Sequence, residues 1–318
     1  MILILSNKTD VHALAVASYI KEAGVESTIF DIKDMASSTD LDFELSSTGE
    51  MDFSIKSSTQ ESFCFSDVHS IWWRRPDKLQ LSDIYPHPTL QNFARKEWVQ
   101  AWVGGLASTQ TFMLNPIKSR EASRFKSYQL KVAAKIGLTI PKTLITNSAA
   151  KAEAFIASNQ PCIYKPFTGT DFGFFETRRF STKEDLDELS KIKSCPLVIQ
   201  EEIKGGFDVR VTVVGGKVFA AKIDYLSGKH GIDSRVEDLP IETHTLPHDI
   251  SKKLLTLVSE LGLHYGAIDL RCNSNGEYIF LEINPDGQYL WTEIEAGLEI
   301  SRSIAEILMN PPTPRLCT

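Results

Sequence analysis

The first residues, MILIL, form an uninterrupted apolar run, which reads as a strand buried on both faces. Apolar positions return at helical spacing in Val11, Leu14, Ala15 and Tyr19, behind Thr9 or Asp10 as a cap and ahead of Gly24. Residues 26–31 come back as a strand, so the chain opens β-α-β. The first turn is SNKTD rather than G-x-G-x-x-G, which sets a dinucleotide-binding dehydrogenase aside. Between residues 36 and 70 the pattern changes to period two, with LDFEL, MDFSI and ESFCFS separated by SSTGE and KSSTQ. Three antiparallel strands are predicted, with Phe43/Leu45, Phe53/Ile55 and Phe63/Phe65 on one buried face. IWWRRP adds a strand that stops at Pro76. Residues 90–107 are predicted helical through Phe93, Glu97, Trp98 and Ala101.

Asn115-Pro116 marks a boundary. Beyond it one helix is predicted from Ser119 through Phe125, Leu130, Ala133 and Ala134 to Gly137. TLIT is a strand, 148–158 a helix and CIYKPF a strand. Ser181 and Glu184 form a capping box for a further helix. LVIQEEI closes this α+β unit near residue 203. The last third holds two hairpins, VRVTVV-GG-KVFAAKI and LRCNS-NG-EYIFLEI, predicted to turn at Gly215-Gly216 and Asn275-Gly276 as two-residue loops. An amphipathic helix with Leu254, Leu255, Val258 and Leu261 lies between them and ends before Gly262.

The composition is that of an ordinary globular protein: 318 residues, 42% hydrophobic and 24% charged. A net charge of −7 argues against non-specific nucleic-acid binding. No apolar run approaches the roughly 18 residues of a membrane helix, and the start reads as a strand rather than a signal peptide. The five cysteines are odd in number and widely spaced, without a C-x-x-C pair, so neither zinc nor a disulfide framework is expected. A reducing cytoplasm is the expected setting. The seven histidines are scattered, and none is assigned a catalytic role.

The second hairpin carries the chemistry. A turn at Asn275-Gly276 places Asp269 opposite Glu282 and Ala267 opposite Asn284, on one face. Opposed carboxylates about 5 Å apart repel, a net cost unless a cation lies between them. Two carboxylates and an amide, without His or Cys, suit Mg²⁺. The alternative is an exposed sheet face that happens to hold two acids. The opposite face should send Ile268, Leu270, Leu281 and Ile283 into a core. Lys165, in IYKPFTGT, is placed to hold phosphates with the loop amides after it, or else is a surface lysine at a strand end. QEEI enters a Gly205-Gly206 linker, an edge whose backbone groups could read an adenine. No G-x-x-x-x-G-K-[ST] loop is present.

The ordered set of Lys126, Lys165, QEEI, DVRV (Asp208–Val211), IDL and LEINP resembles the ATP-grasp carboxylate ligases, including ribosomal-protein glutamate ligases. IWWRRP, MLNP, QLKVAAKIGLTIPKTLITN and LEINPDGQYLW resemble one branch, the microviridin-type peptide ligases that make graspetides. The resemblance implies an α/β (α+β) ATP-grasp architecture, with an N-terminal α/β domain at 1–115. A central domain at 116–203 and a C-terminal domain at 204–318, bearing the Mg²⁺ site, would clasp ATP. It implies Lys126 and Lys165 as phosphate lysines and Glu201, Glu202 and Ile203 as the adenine hinge. Asp208 is similar to the ribose or nucleotide contact, and Arg210 to the arginine near the transferred phosphate. Asp269, Glu282 and Asn284 resemble the Mg²⁺ ligands. Where the branch often has Asp-Trp-Arg, this chain has Asp233-Ser234-Arg235, and Arg235 is a candidate for the acyl-phosphate. The loop TGTDFGFFETRRF is unusually aromatic, with Phe172, Phe174 and Phe175.

The implied reaction activates side-chain carboxylates of a ribosomal precursor peptide as acyl-phosphates and closes ω-ester or ω-amide macrocycles. ATP and Mg²⁺ are the expected cofactors and the peptide's leader and acidic core the partner, and the resemblance allows a homodimer. One competing reading joins amino acids to a small carboxylate or protein terminus. Another is a non-catalytic peptide-binding protein on a degenerate grasp scaffold.

Overall fold

The structure is a computed structural model that describes residues 1–167, 177–180, 188–224 and 239–312, to which every structural statement below refers. The chain opens with β1 (Ile2–Ser6), the helix Val11–Glu22 and β2 (Ser27–Phe30). Asp10 caps that helix by accepting from the His12 amide at 2.9 Å. A small antiparallel sheet follows, made of β3 (Thr39–Leu45), β4 (Met51–Ser57) and the two-residue β5 (Phe63–Cys64). β6 (Ser70–Arg75) and β7 (Phe112–Leu114) then complete a parallel sheet in the order β2-β1-β6-β7. Ile2 to Leu5 are fully buried, as expected for a strand covered on both sides.

Two expectations for this region change. Phe53, Ile55, Phe63 and Phe65 are buried, but Phe43 and Leu45 are exposed. Nothing covers the end of the β3–β4 hairpin, so alternation there reports a shared face and not a buried one. The long helix spans Pro88–Ser108 and packs through Trp102, Gly105 and Leu106, leaving Phe93 in solvent. A Cβ on Gly105 would lie 2.5 Å from the Phe53 ring, so glycine is what lets helix and sheet meet.

The predicted helix from Ser119 is two helices, Ile117–Ser123 and Lys126–Lys135, with Phe125 extended and exposed between them. The break puts Lys126 at the start of the second helix. Beyond it lie β8 (Thr143–Thr146), the helix Ala149–Ser158 capped by Ser148, β9 (Cys162–Lys165), β10 (Arg178–Arg179) and β11 (Leu197–Glu201). They form an antiparallel sheet in the order β10-β9-β11-β8. The capping box at Ser181–Glu184 lies outside the described residues.

The last sheet runs β14-β13-β12-β15-β16, all antiparallel, from β12 (Phe207–Val214), β13 (Lys217–Ile223), β14 (Ile241–Thr243), β15 (Tyr265–Cys272) and β16 (Tyr278–Asn284). Val214 pairs with Lys217, so the Gly215-Gly216 turn is the predicted two-residue loop, with Gly215 at φ +58°. One face packs Val209, Val211, Ile268, Leu270 and Phe280 against Leu254, Leu257 and Val258 of the helix His248–Glu260. Leu130 and Ala133 of the helix Lys126–Lys135 join this same core. A second core joins β1 and the helix Val11–Glu22 to Tyr265, Ala267 and the helix Ile300–Met309. The parallel sheet and the last sheet are therefore cemented together. No described helix is long and apolar enough to cross a membrane. Cys64, Cys162, Cys195 and Cys272 are free thiols.

Candidate functional site

The face of the last sheet opposite its core is organised in rows, because cross-strand partners share a side. Arg210 pairs with Asp269, and Asp269 with Glu282. The neighbouring rows are Asp208–Arg271 on one side and Thr212–Ala267–Asn284 on the other. Asp269 therefore does stand opposite Glu282, but the predicted turn is wrong. The Asn273 amide bonds the Glu277 carbonyl, so the loop has three residues, Ser274–Gly276, with Gly276 at φ +80°. That loop shifts the register by one, and Leu270 pairs with Phe280. A bulge at Leu281 shifts it back before Glu282. The expected core residue Leu281 is consequently half-buried, and Phe280 fills the core in its place.

The expected repulsion between the carboxylates is offset by the protein itself. The Arg210 Nη1 donates to Asp269 at 2.7 Å, and the Lys126 ammonium donates to Glu282. Arg210 Nη2 donates to the Gln288 carbonyl at 2.8 Å, while its Nε is buried without a partner. Burial alone would lower the guanidinium pKa; the Asp269 charge outweighs it, and the group stays above its usual value. The helix that carries Lys126 is anchored to β16 by Gln129, one turn on and buried. The Gln129 side chain donates to the Ile283 carbonyl at 2.8 Å and accepts from the Ile283 amide at 3.1 Å. Asn284 is exposed, and its Oδ1 accepts from the Asp286 amide at 2.9 Å. The donor set of Asp269, Glu282 and Asn284 is all oxygen on one rigid face, which fits a hard cation such as Mg²⁺.

In the central sheet, the pairs Val198–Lys165, Val198–Ile145, Gln200–Ile163 and Gln200–Thr143 define one face. Lys165 stands there, half-buried at the end of β9. A cavity of about 490 Å³ opens between this face and the helix Lys126–Lys135, lined by Ser127, Leu130, Ile140, Lys142, Thr143 and Ile145. Of the hinge groups, the Glu201 amide bonds the Lys142 carbonyl and the Glu202 amide the Pro161 carbonyl. The Ile203 carbonyl accepts from Arg271 at 3.3 Å. The Glu202 carbonyl and the Ile203 amide are among the hinge groups for which no hydrogen bond to a described residue is made. The Glu202 side chain is sealed by a two-point pair with Arg179, at 2.6 and 2.7 Å.

Asp208 lies in the same sheet face but is turned to Arg271, which grips both carboxylate oxygens at 2.6 and 2.9 Å. Arg235 and the aromatic stretch Phe172, Phe174 and Phe175 lie outside the described residues. Asn115, Arg120, Gln129, Arg271 and Asp286 were not singled out as site residues, and of the adjacent Arg74 and Arg75 one side chain could face the cleft or serve an ion pair. Their available signal was polarity in apolar surroundings, as with Arg74 behind IWW and Gln129 beside Leu130. Arg74 is buried at the end of β6, and Trp72 beside it is core.

Comparison with known proteins agrees with this geometry. A family model described as the RimK-like ATP-grasp domain matches residues 122–308, more than half of the chain. The macrocyclase MdnC from Microcystis aeruginosa, solved bound with precursor peptide MdnA, is 30% identical, with a TM-score of 0.86 over 97% of this chain and 99% of that one. A RiPP-associated ATP-grasp ligase from Chryseobacterium gregarium, solved with ADP and a leader and core peptide, is 26% identical, with a TM-score of 0.88 over 99% of this chain and 97% of that one. A probable alpha-L-glutamate ligase of Pseudoalteromonas atlantica is 24% identical over 217 residues, 64% of this chain and 69% of that protein. The chain therefore belongs to the RimK-like ATP-grasp family and is an ATP-grasp ligase, using ATP and Mg²⁺.

Proposed function

We propose that this ligase activates side-chain carboxylates of a ribosomal precursor peptide and closes ω-ester or ω-amide macrocycles. The observation that carries this reading is the reach of the likeness to MdnC. It covers 97% of the chain at 30% identity. The match to the glutamate ligase covers 64%.

The chemistry follows from the cleft. A carboxylate oxygen of the peptide attacks the γ-phosphorus of ATP, and ADP leaves. A hydroxyl or amine of the same peptide then attacks the acyl carbon, and phosphate leaves. The protein's part is positioning and charge. Lys165 and Lys126 are assigned to the phosphates, and the Glu202 carbonyl and Ile203 amide to the base. Arg210 is assigned to the transferred phosphoryl, and Arg235 remains the candidate for the acyl-phosphate. Asp269, Glu282 and Asn284 would hold Mg²⁺, which when bound would neutralise charge on the phosphate oxygens. Arg210 and Lys126 offset the repulsion between the two acids. Asp208, gripped by Arg271, fits a structural role better than a ribose contact. We assign the units 1–115, 116–203 and 204–318, a cytoplasmic setting in keeping with the free thiols, and a homodimer, to be tested by sedimentation.

The test is ADP release with Mg²⁺, with and without acidic precursor peptides, followed by mass spectrometry. Peptide-dependent ADP release with loss of one water per linkage supports the proposal. Turnover with a single free amino acid and no peptide would favour the second reading, addition of amino acids to a carboxylate. That reading is favoured by the glutamate-ligase relatives.

A further inference from the structure

Residues 285–288 leave the sheet directly after Asn284, and each of their four carbonyls is held by a side chain from elsewhere. Pro285 accepts from Asn115 at 2.9 Å, Asp286 from Arg74 at 3.1 Å, Gly287 from the Tyr265 hydroxyl at 2.7 Å and Gln288 from Arg210 at 2.8 Å. The Asp286 carboxylate is gripped as well, by Arg120 Nε at 2.7 Å and Arg124 Nη2 at 2.6 Å. Arg120 is buried and lies over the Trp73 ring at 4.9 Å. Asn115 uses its whole amide. Its Oδ1 accepts from the His264 and Tyr265 amides, and its Nδ2 also donates to the Tyr265 carbonyl. Arg74 is fixed in turn by Asp10, at 3.1 Å.

Four consecutive carbonyls held by side chains exceed what a surface loop needs, since water satisfies such groups at little cost. The loop touches the candidate site at both ends. The Asp286 amide sets the direction of the Asn284 side-chain oxygen, and the Gln288 carbonyl sets one arm of Arg210.

We propose that Asp286 is a positioning residue that orients Asn284 for the metal and Arg210 for the phosphoryl group. Arg120, Arg74 and Asn115 act as its struts. The inference rests on reading Asp269, Glu282 and Asn284 as the Mg²⁺ set. IWWRRP, MLNP and the segment SREASRFK thereby gain a shared task, carrying the parallel sheet's rigidity into the cleft. Outer contacts of this kind tune metal affinity by about 10–100-fold.

The test measures the Mg²⁺ concentration giving half of the thermal stabilisation by saturating ADP, alongside the rate of ADP release. Asp286→Asn should raise the Mg²⁺ midpoint about tenfold or more and lower the rate, with excess Mg²⁺ restoring part of it. Arg124→Ala removes one exposed arm of the grip. It should shift the midpoint in the same direction by less, and serves if Asp286→Asn does not fold. A lower melting temperature with an unchanged Mg²⁺ midpoint in these variants would overturn the proposal, leaving the loop merely structural. Glu282→Gln separates the two levels. If it keeps the wild-type Mg²⁺ response, the metal reading itself is wrong. If it loses that response while Asp286→Asn keeps it, only the positioning role fails.

Discussion

Two adjacent rows of one sheet face carry the same chemistry to opposite ends. In the row Asp208–Arg271 the guanidinium meets the carboxylate at two points, and both side chains are about nine-tenths buried. One step along β12 and β15, Arg210 meets Asp269 through a single hydrogen bond, and Glu282 meets Lys126 likewise. There the carboxylates keep 29% and 24% of their side-chain surface open. A two-point pair sealed from water is fixed geometry; a one-point pair at the cleft can be exchanged for another cation or anion. Residue type does not separate the rows. The bonding within each pair and the access of solvent do.

The most severe way to test this contrast is at the open row. Glu282→Gln and Asp269→Asn should each cut ADP release by more than about 100-fold, beyond the usual effect of an outer contact. The fold should scarcely notice, because a partly exposed ion pair contributes about 1 kcal/mol or less. Equal loss of stability and activity in thermal melts and turnover assays would erase the distinction between the rows.

The sealed row should respond the other way. Arg271→Ala removes the two-point partner of the buried Asp208 carboxylate, which should destabilise by about 3–5 kcal/mol in urea unfolding. Asp208→Ala should behave alike, and the double variant should cost less than the two single changes together. Should Asp208→Asn instead leave stability intact and raise the KM for ATP, Asp208 would be a nucleotide contact after all.

A subtler probe disturbs the open row through packing. A Cβ on Gly287 would stand 2.4 Å from the Ala267 Cβ and 3.0 Å from Arg210 Nη2. Gly287→Ala should cost about 1–3 kcal/mol as overpacking. It should also lower the rate at saturating ATP more than it raises the KM, because it pushes Arg210 and not Lys165.

The open row was legible in the sequence for a reason that has limits. Period-two alternation puts Asp269, Glu282 and Asn284 on one face whatever the turn, provided the net register holds. Here a three-residue loop and a bulge at Leu281 cancel, so the pairing came out right and the core partner, Phe280, came out wrong. Nothing local in LEINP marks a bulge. Phe43 and Leu45 show a similar limit, since their alternation is genuine but no element covers them. The break at Phe125 was hidden because the helical pattern continues through it. The struts were the least accessible. Asn115 reaches Pro285 across 170 positions, and Arg120 reaches Asp286 across 166. No local pattern encodes such a pairing; only the packing of the parallel sheet against the last one creates it.

The smallest expected effect bears on how the cleft's rear support senses pH. His264 lies beside the Asn115 junction, with its ring 4.9 Å from that of Phe112, and burial holds its pKa below the usual histidine value. His244 is lowered too, by burial first and then by the Lys222 charge, with Glu242 opposing. Both are therefore reluctant to take a proton in the fold. In the unfolded chain they protonate near about pH 6.5. As pH falls through that value the unfolded state binds more protons than the folded one, so stability declines with falling pH. Neither open-row carboxylate is involved, so the decline should be the same in Glu282→Gln as in the parent. Melting temperatures measured from pH 7.5 down to 5.5 should slope downward, and His264→Gln should flatten part of that slope. A slope unchanged by His264→Gln and His244→Gln together would place the pH sensitivity elsewhere. A slope abolished by Glu282→Gln alone would place it in the open row.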